Sequence, residues 1–417
     1  MMVHWINEFL GTAPAATARL KRGVVVLDVR DLVDKGGNDP ERIWHKIAEG
    51  IEAIRRGERL VVCCDYGISR SNAIAAGILA KLRGTTVDQA ARDIITATGE
   101  REIKIELLDI VRAVVEGPAQ TAADNSGRRV LLTGATGFIG KAVGAQLRQM
   151  NRVEVIAPSS RELNLISCRA ELDMLVRSKG VDTVVHLANP RVYTSNLALG
   201  ETLAMLRNVL EVCTHNGAWL LYPSSWEVYS GYPATRLRAD ESLPLHPSGP
   251  YGETKFLCET LIGHFRRAEG LKCALIRSSP VYGPGSDRPK FIYTFIEKAR
   301  RDEPIVTHRY ANGDPALDLL HVSDIAQAIT KVVAVRFIGD LNIGTGTVST
   351  TRQIAEWIVR WLTSGSTVHS VAIAREVANI AMDYGRAEQE IGWRPEIAVK
   401  DGLRALVEQL YPGDLED

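Results

Sequence analysis

The chain reads as an α/β protein of two units, each built on a parallel sheet wound by helices. Short β-branched runs such as GVVVLDV, RLVVCC, RVLLTG and VEVIAP have the continuous apolar character of strands buried on both faces. Helical periodicities alternate with them, and strand-helix-strand order implies right-handed crossovers between parallel strands. The stretch VEGPAQTAADNSGRR, Val115 to Arg129, is small, polar and without apolar periodicity, as a linker would be. The expected organisation is a first unit over 1–116, a linker over 117–128 and a second unit over 129–412.

Taken in order, the first unit places helices at ERIWHKIAEGIEAIRRG, SNAIAAGILAKLRG and TVDQAARDIITATG behind its strands. In the second, strand RVLLTG leads to helix KAVGAQLRQM, strand VEVIAP, helix ELDMLVRSKG and strand DTVVHLA. A long helix near 199–216 and strand WLLYPSS follow. No internal repeat or low-complexity tract interrupts the pattern.

At 417 residues the chain exceeds one ordinary domain. Lys+Arg and Asp+Glu are equal at 50 each, which gives no support for a nucleic-acid or membrane-surface partner. No run approaches the roughly 18 to 20 apolar residues of a membrane helix. The N-terminus carries Glu8 early and its basic residues late, the wrong order for a secretory signal. Cys63, Cys64, Cys168, Cys213, Cys258 and Cys273 form neither a disulfide framework nor a paired CxxC metal site. A reducing cytoplasm and no metal are expected.

Two phosphate-holding loops stand out. Cys64-Asp65-Tyr66-Gly67-Ile68-Ser69-Arg70 is C-x5-R between a buried strand and a helix. Five residues suffice to wrap backbone N–H groups around a phosphate at a helix N-terminus, and the same groups lower the thiol's pKa. Arg70 can bind two phosphoryl oxygens, Gly67 permits the tight turn, and Ser71 can donate to the departing thiolate. "CDYGISRS" resembles the signature of the dual-specificity branch of the cysteine phosphatases, and the likeness spans roughly residues 20–116. It implies a cysteine-phosphatase fold with Cys64 as nucleophile and an aspartate general acid about thirty residues earlier. Asp34 is placed there, with Asp31 as competitor and Asp39 less favoured. Cys63 stands where that family has a histidine that orients the loop.

The second loop, Gly134-x-x-Gly137-x-x-Gly140, follows an apolar strand and opens a helix, as a dinucleotide turn does. Thr136, Phe138 and Ile139 lie within it. A Walker A reading fails because residues 135 and 142 are both alanine. Tyr251 and Lys255 form Y-x-x-x-K at helical spacing, so both face one side; an ammonium there would lower the phenol's pKa from about 10 towards neutrality. Ser225, with Ser224 beside it, is the hydroxyl partner. These residues, with "VVHLA", "SSPVYGPG", "LLHVSDIAQAI", "LNIGTG" and "IGWRP", resemble the extended short-chain dehydrogenase/reductases acting on sugar nucleotides, over about 128–410. The likeness implies a Rossmann doubly wound sheet with a small C-terminal substrate subdomain, and a homodimer through the Y-x-x-x-K helix. It also places Leu187 and Ala188 beside the cofactor.

After the second strand, Ser159, Ser160 and Arg161 stand where an acid would favour NAD; they suit a 2′-phosphate, so NADP(H) is favoured over NAD(H). "RELNLI" is similar to the NADPH-dependent deoxysugar reductases and would set Asn164 and Leu165 near the adenine. Trp226 replaces the cysteine that one such branch uses for double epimerisation. Leu317 replaces an arginine that grips the nucleotide diphosphate, leaving Arg277, Arg288 or Arg309 to take that role. His186 and His321 are expected to pack near the core.

The resulting expectation is a bifunctional enzyme: phosphomonoester hydrolysis through Cys64, joined to NAD(P)-dependent reduction, epimerisation or dehydration of a sugar, sugar phosphate or nucleotide sugar. Two alternatives accompany it. In one, the first unit is a non-catalytic phosphate-binding regulatory module. In the other, the chain is a protein phosphatase with an NADP(H)-sensing domain.

Overall fold

The computed structural model describes residues 2–34, 37–100, 103–117, 127–167, 169–190, 195–232, 235–286 and 288–412. Most of the expected linker, and Cys168, lie outside the described residues. The chain divides into two compact units: Met1–Ser126 with Leu163–Lys179, and Gly127–Glu162 with Gly180–Asp417.

In the first unit the strand Leu60–Cys64 is buried along its whole length. Leu10–Pro14 and Val25–Asp28 flank it in parallel, and His4–Trp5 adds an antiparallel edge. Helix Pro40–Arg55 is started by Pro40 and by Asp39, whose side chain accepts the Glu41 N–H at 3.0 Å. Its Ile43, Ile47 and Ile51 stripe is buried. Helix Arg70–Arg83 is buried from Ser71 to Ala80. Its small residues admit close neighbours: a Cβ on Gly77 would meet Ile47 Cδ1 at 2.6 Å.

Segment Leu163–Lys179 falls between two strands of the second unit in chain order but packs in the first. Ala170 and Met174 of helix Arg169–Lys179 enter the first unit's core. Buried Arg112 donates to Asp173 (3.0 Å), Asp88 (2.7 Å) and Asp109 (2.6 Å), and Arg177 joins Asp109 at 2.8 Å. Burial would lower the guanidinium's pKa; the three carboxylates outweigh it and hold Arg112 above its ordinary value. A charge this deep is tolerated only with such partners.

The second unit is a six-stranded parallel sheet in the order Gly339–Ile343, Cys273–Ser278, Trp219–Ser225, Thr183–His186, Arg128–Thr133, Val153–Ile156. Strand order reverses beside Arg128–Thr133, which puts a ligand crevice at the carboxyl ends of that strand and its neighbour Thr183–His186. A smaller lobe follows: helices Lys290–Arg300, Thr351–Trp361 and Val399–Leu410 enclose Ile292, Phe295, Ile358, Trp361 and Leu403. Among the described residues, no helix is long and apolar enough to cross a membrane.

Candidate functional site

The glycine turn begins where Arg128–Thr133 ends. Gly134 has φ +71°, and a Cβ there would meet Ala188 N at 2.6 Å and Leu187 C at 2.6 Å. Thr133 holds those two residues in place: its carbonyl accepts the Leu187 N–H and its hydroxyl accepts the Ala188 N–H. A Cβ on Gly140 would lie 2.1 Å from Gly134 O. Helix Phe138–Gln149 starts at Gly137 without a side-chain cap, so its first N–H groups face an exposed turn at Thr136 and Gly137. Close-approach glycines and an uncapped helix N-terminus fit the pyrophosphate of a dinucleotide.

The loop after Val153–Ile156 holds a residue that the sequence reading passed over. Ser159 N–H donates to the Glu162 carboxylate at 2.7 Å, and that bond keeps Glu162 below the usual carboxylate range. An acid is therefore present near Ser159, Ser160 and Arg161. Asn164 and Leu165 lie in the segment that packs with the first unit; Asn164 Oδ1 accepts the Ile166 N–H at 3.0 Å.

Ser225 is buried at the end of Trp219–Ser225 and caps the short 3-10 turn Trp226–Tyr229, its hydroxyl accepting the Glu227 N–H at 3.2 Å. Ser224 instead donates to Glu259 at 2.5 Å. Tyr251 sits in the first turn of helix Gly249–Glu269, with buried Lys255 one turn on. A Cβ on Gly252 would meet Glu227 O at 2.7 Å, so glycine lets the 3-10 turn close on this helix. The geometry corrects one expectation. Lys255 Nζ donates to Tyr222 OH (3.1 Å) and Pro223 O (2.8 Å), satisfying a buried ammonium, and lies 5.7 Å from the Tyr251 ring centroid. Burial, followed by the Glu227 charge, pushes the Tyr251 phenol above its ordinary value instead of towards neutrality.

Glu227 was missed. Burial pushes its carboxyl up to about 7, and no hydrogen bond reaches the carboxylate among the described residues. The signal lay in SSWEVY: an acid two residues beyond the serine, followed by an apolar pair.

Other expectations sort clearly. Arg277 cannot grip a diphosphate, because it is buried and pairs with Glu259 at 2.8 Å. Arg309 is exposed on Ile305–Tyr310. Asp318, beside Leu317, accepts N–H bonds from Thr345 (2.8 Å), Gly346 (3.1 Å) and Met382 (2.9 Å), which is a structural task. His186 is buried on Thr133 at 2.8 Å, and burial, then Lys255, brings its pKa down to about 3. Trp226 packs against the cluster of Val228, Tyr229 and Ala239.

In the first unit the loop after Leu60–Cys64 gathers on the Cys64 thiol. Gly67 N–H donates to Sγ at 3.2 Å and Ser71 Oγ lies 3.4 Å away. Burial would raise the thiol; bonds from Ser71, Gly67 and Ile68 outweigh it and bring Cys64 below its ordinary value. Gly67 has φ +74°, and a Cβ there would strike Ala13 C at 2.5 Å. Buried Ser69 accepts the Lys104 N–H at 3.0 Å, and Tyr66 is exposed. Arg70 donates to Asp65 at 2.5 Å and to the carbonyls of Leu32 (3.0 Å) and Arg30 (3.2 Å). Asp34 is exposed two residues beyond Leu32. Asp31 is committed to Arg42 and Lys46, and Asp39 to its cap. Cys63 is a free thiol in a different cluster from Cys64, pushed up to about 11 by burial and then by Asp28.

A parallel sheet of this order, with a glycine turn at its switch point, a serine at a strand end and a Tyr/Lys pair on a helix, defines a Rossmann-type NAD(P)-dependent enzyme. The chain belongs to the NAD dependent epimerase/dehydratase family, whose model matches residues 130–344. It is 29% identical over 308 residues to a putative UDP-glucose 4-epimerase of Methanocaldococcus jannaschii, covering 67% of this chain and 97% of that protein. It is 24% identical to UDP-glucuronic acid decarboxylase 6 of Arabidopsis thaliana, over 68% of this chain and 89% of that protein. Its fold matches the Thermus thermophilus UDP-glucose 4-epimerase complex with NAD (TM-score 0.59, 23% identity, 68% of this chain, 99% of that one). It also matches RMD from Pseudomonas aeruginosa complexed with NADPH (TM-score 0.60, 23% identity, 67% and 98%). The family match begins at residue 130 and leaves the Cys64 loop outside it.

Proposed function

We propose that the second unit epimerises or dehydrates a nucleotide sugar. The observation that carries this is a half-buried carboxyl, Glu227, in the same site as Ser225, Tyr251 and Lys255. NAD(P), when bound, would supply reversible hydride transfer at a sugar carbon. Gly134, Gly137, Gly140, Leu187 and Ala188 would hold it, together with Thr136, Phe138 and Ile139. Ser225 orients the reacting oxygen and Tyr251 exchanges its proton. Lys255, anchored on Tyr222 and Pro223, would position the cofactor ribose. A carboxyl poised near 7 can both take and return a proton, which suits the C–H beside a transient carbonyl. Family names among the relatives, UDP-glucose and UDP-glucuronic acid, support a nucleotide sugar as substrate. Exposed Arg161 with Ser159 and Ser160 supports NADP(H), while Glu162 favours NAD(H); affinities for the two cofactors decide between them. A homodimer through Gly249–Glu269 is part of this reading. The test is conversion of UDP-, GDP- and dTDP-hexoses by the purified protein, absent in Tyr251→Phe.

A second reading concerns the first unit, and the geometry at Cys64 favours it. Gly67 N–H and Ser71 gather on the Cys64 thiol and Arg70 pairs with Asp65; released from those partners they would cradle a phosphate dianion, the basis for a phosphate-binding module. If the module also turns over, Cys64 Sγ attacks phosphorus, the ester P–O bond breaks and Asp34 protonates the leaving oxygen. Water then cleaves the S–P bond and releases phosphate. Hydrolysis of an aryl phosphate, lost in Cys64→Ser, marks an enzyme; phosphate binding without hydrolysis marks a module. Hexose conversion by the second unit would remove the sensor-only alternative.

A further inference from the structure

We propose that the buried Glu259–Arg277 pair is a positioning clamp that fixes the spacing of Ser225, Glu227 and Tyr251; this rests on the enzymatic reading above. Tyr251, Lys255 and Glu259 recur every fourth residue on Gly249–Glu269 and share a face. Lys255 grips the neighbouring strand at Tyr222 and Pro223, and Glu259 grips the next residue, Ser224. Arg277 lies on the adjacent strand in register with Ser224. It donates Nε (3.1 Å) and Nη2 (2.8 Å) to Glu259 Oε2, and Nη1 to Tyr229 OH at 2.9 Å. Tyr229 ends the 3-10 turn that carries Glu227. One buried pair thus touches the helix of Tyr251, the strand ending in Ser225 and the turn of Glu227. Both side chains are only 5% exposed, a setting where an ion pair brings little net stability over apolar packing. What the pair uniquely supplies is a fixed hydrogen-bond geometry among three elements.

The clamp also carries charge. The groups facing Lys255 and Tyr251 are Tyr222 from the strand, Cys258 and Glu259 from the helix, Glu227 from the turn and His186 from the next strand. Burial lowers Lys255, and Cys258 and Glu259 oppose it. Without the Glu259 charge, Lys255 loses its proton more readily.

The experiment uses Glu259→Gln and Ser224→Ala in the full chain. Glu259→Gln should lower kcat by roughly tenfold to a hundredfold with cofactor affinity unchanged. It should also move the Lys255 titration down, read by nuclear magnetic resonance of isotope-labelled lysine against Lys255→Met in the same background. Ser224→Ala should lower kcat and leave that titration in place. Wild-type kcat in either variant overturns the clamp, and a lowered kcat with an unmoved titration in Glu259→Gln reduces the pair to core structure and overturns it too. If Glu259→Gln fails to bind cofactor or melt cooperatively, Ser224→Ala decides by its kcat-against-KM split: a lowered kcat at unchanged KM supports the clamp, and equal changes in both or a wild-type kcat overturn it. A native protein that converts no nucleotide sugar sinks the enzymatic reading; the titration still reads the clamp.

Discussion

At the scale of single residues, Glu227 separates this site from one with only Ser, Tyr and Lys. Its carboxyl lies near 7 because burial penalises the charged form. Proton removal needs the ionised form, so kcat should rise with pH through about 7, and Glu227→Gln should abolish that limb; a pH–rate profile checks it. The other residue-level prediction concerns Asp65, whose carboxylate holds the Arg70 fork that a phosphate would need. Asp65→Asn should tighten phosphate or tungstate binding, measured by calorimetry, and weaker binding would count against a phosphate cradle. Tyr251 and Lys255 were legible as a candidate pair because a fixed helical spacing declares them, and Ser225 from the stretch PSSWEVYSG. Glu227 was not, since what distinguishes it is burial, and the direction of Lys255 was not, since its acceptors Tyr222 and Pro223 lie on another element.

At the scale of elements, the turn at Gly134 and the loop at Gly67 hold their backbones where only glycine fits. Gly140→Ala places a methyl 2.1 Å from Gly134 O. The turn must open, and cofactor affinity should fall by about tenfold or more, measured by fluorescence titration with nicotinamide cofactor. Alternating apolar runs made the strands readable, and glycine spacing located the dinucleotide turn. The 3-10 turn Trp226–Tyr229 was not readable. Its position depends on Gly252 admitting the Glu227 carbonyl and on Ser225 capping it, and neither has a periodic signature.

At the scale of the whole molecule, chain order and packing part company. The sequence places ELDMLVRSKG as a crossover helix of the second unit, yet Ala170, Met174 and Asp173 pack in the first. The reason is chemical: buried Arg112 needs carboxylates, and Asp173 supplies one from 61 residues away. A chain beginning at Gly127 would expose Ala170 and Met174 and leave Asp173 without Arg112. It should melt at a lower temperature than the full chain or aggregate, by calorimetry; equal stability would show that the segment repacks. The central claim is proton and hydride chemistry on a nucleotide sugar by the second unit. Mass spectrometry of UDP-, GDP- and dTDP-hexoses incubated with the protein and NAD+ or NADP+ in heavy water tests it most directly. The expected result is a converted sugar carrying solvent deuterium, with incorporation lost in Glu227→Gln. Sugars returned unconverted and unlabelled, while the protein binds cofactor, would contradict it.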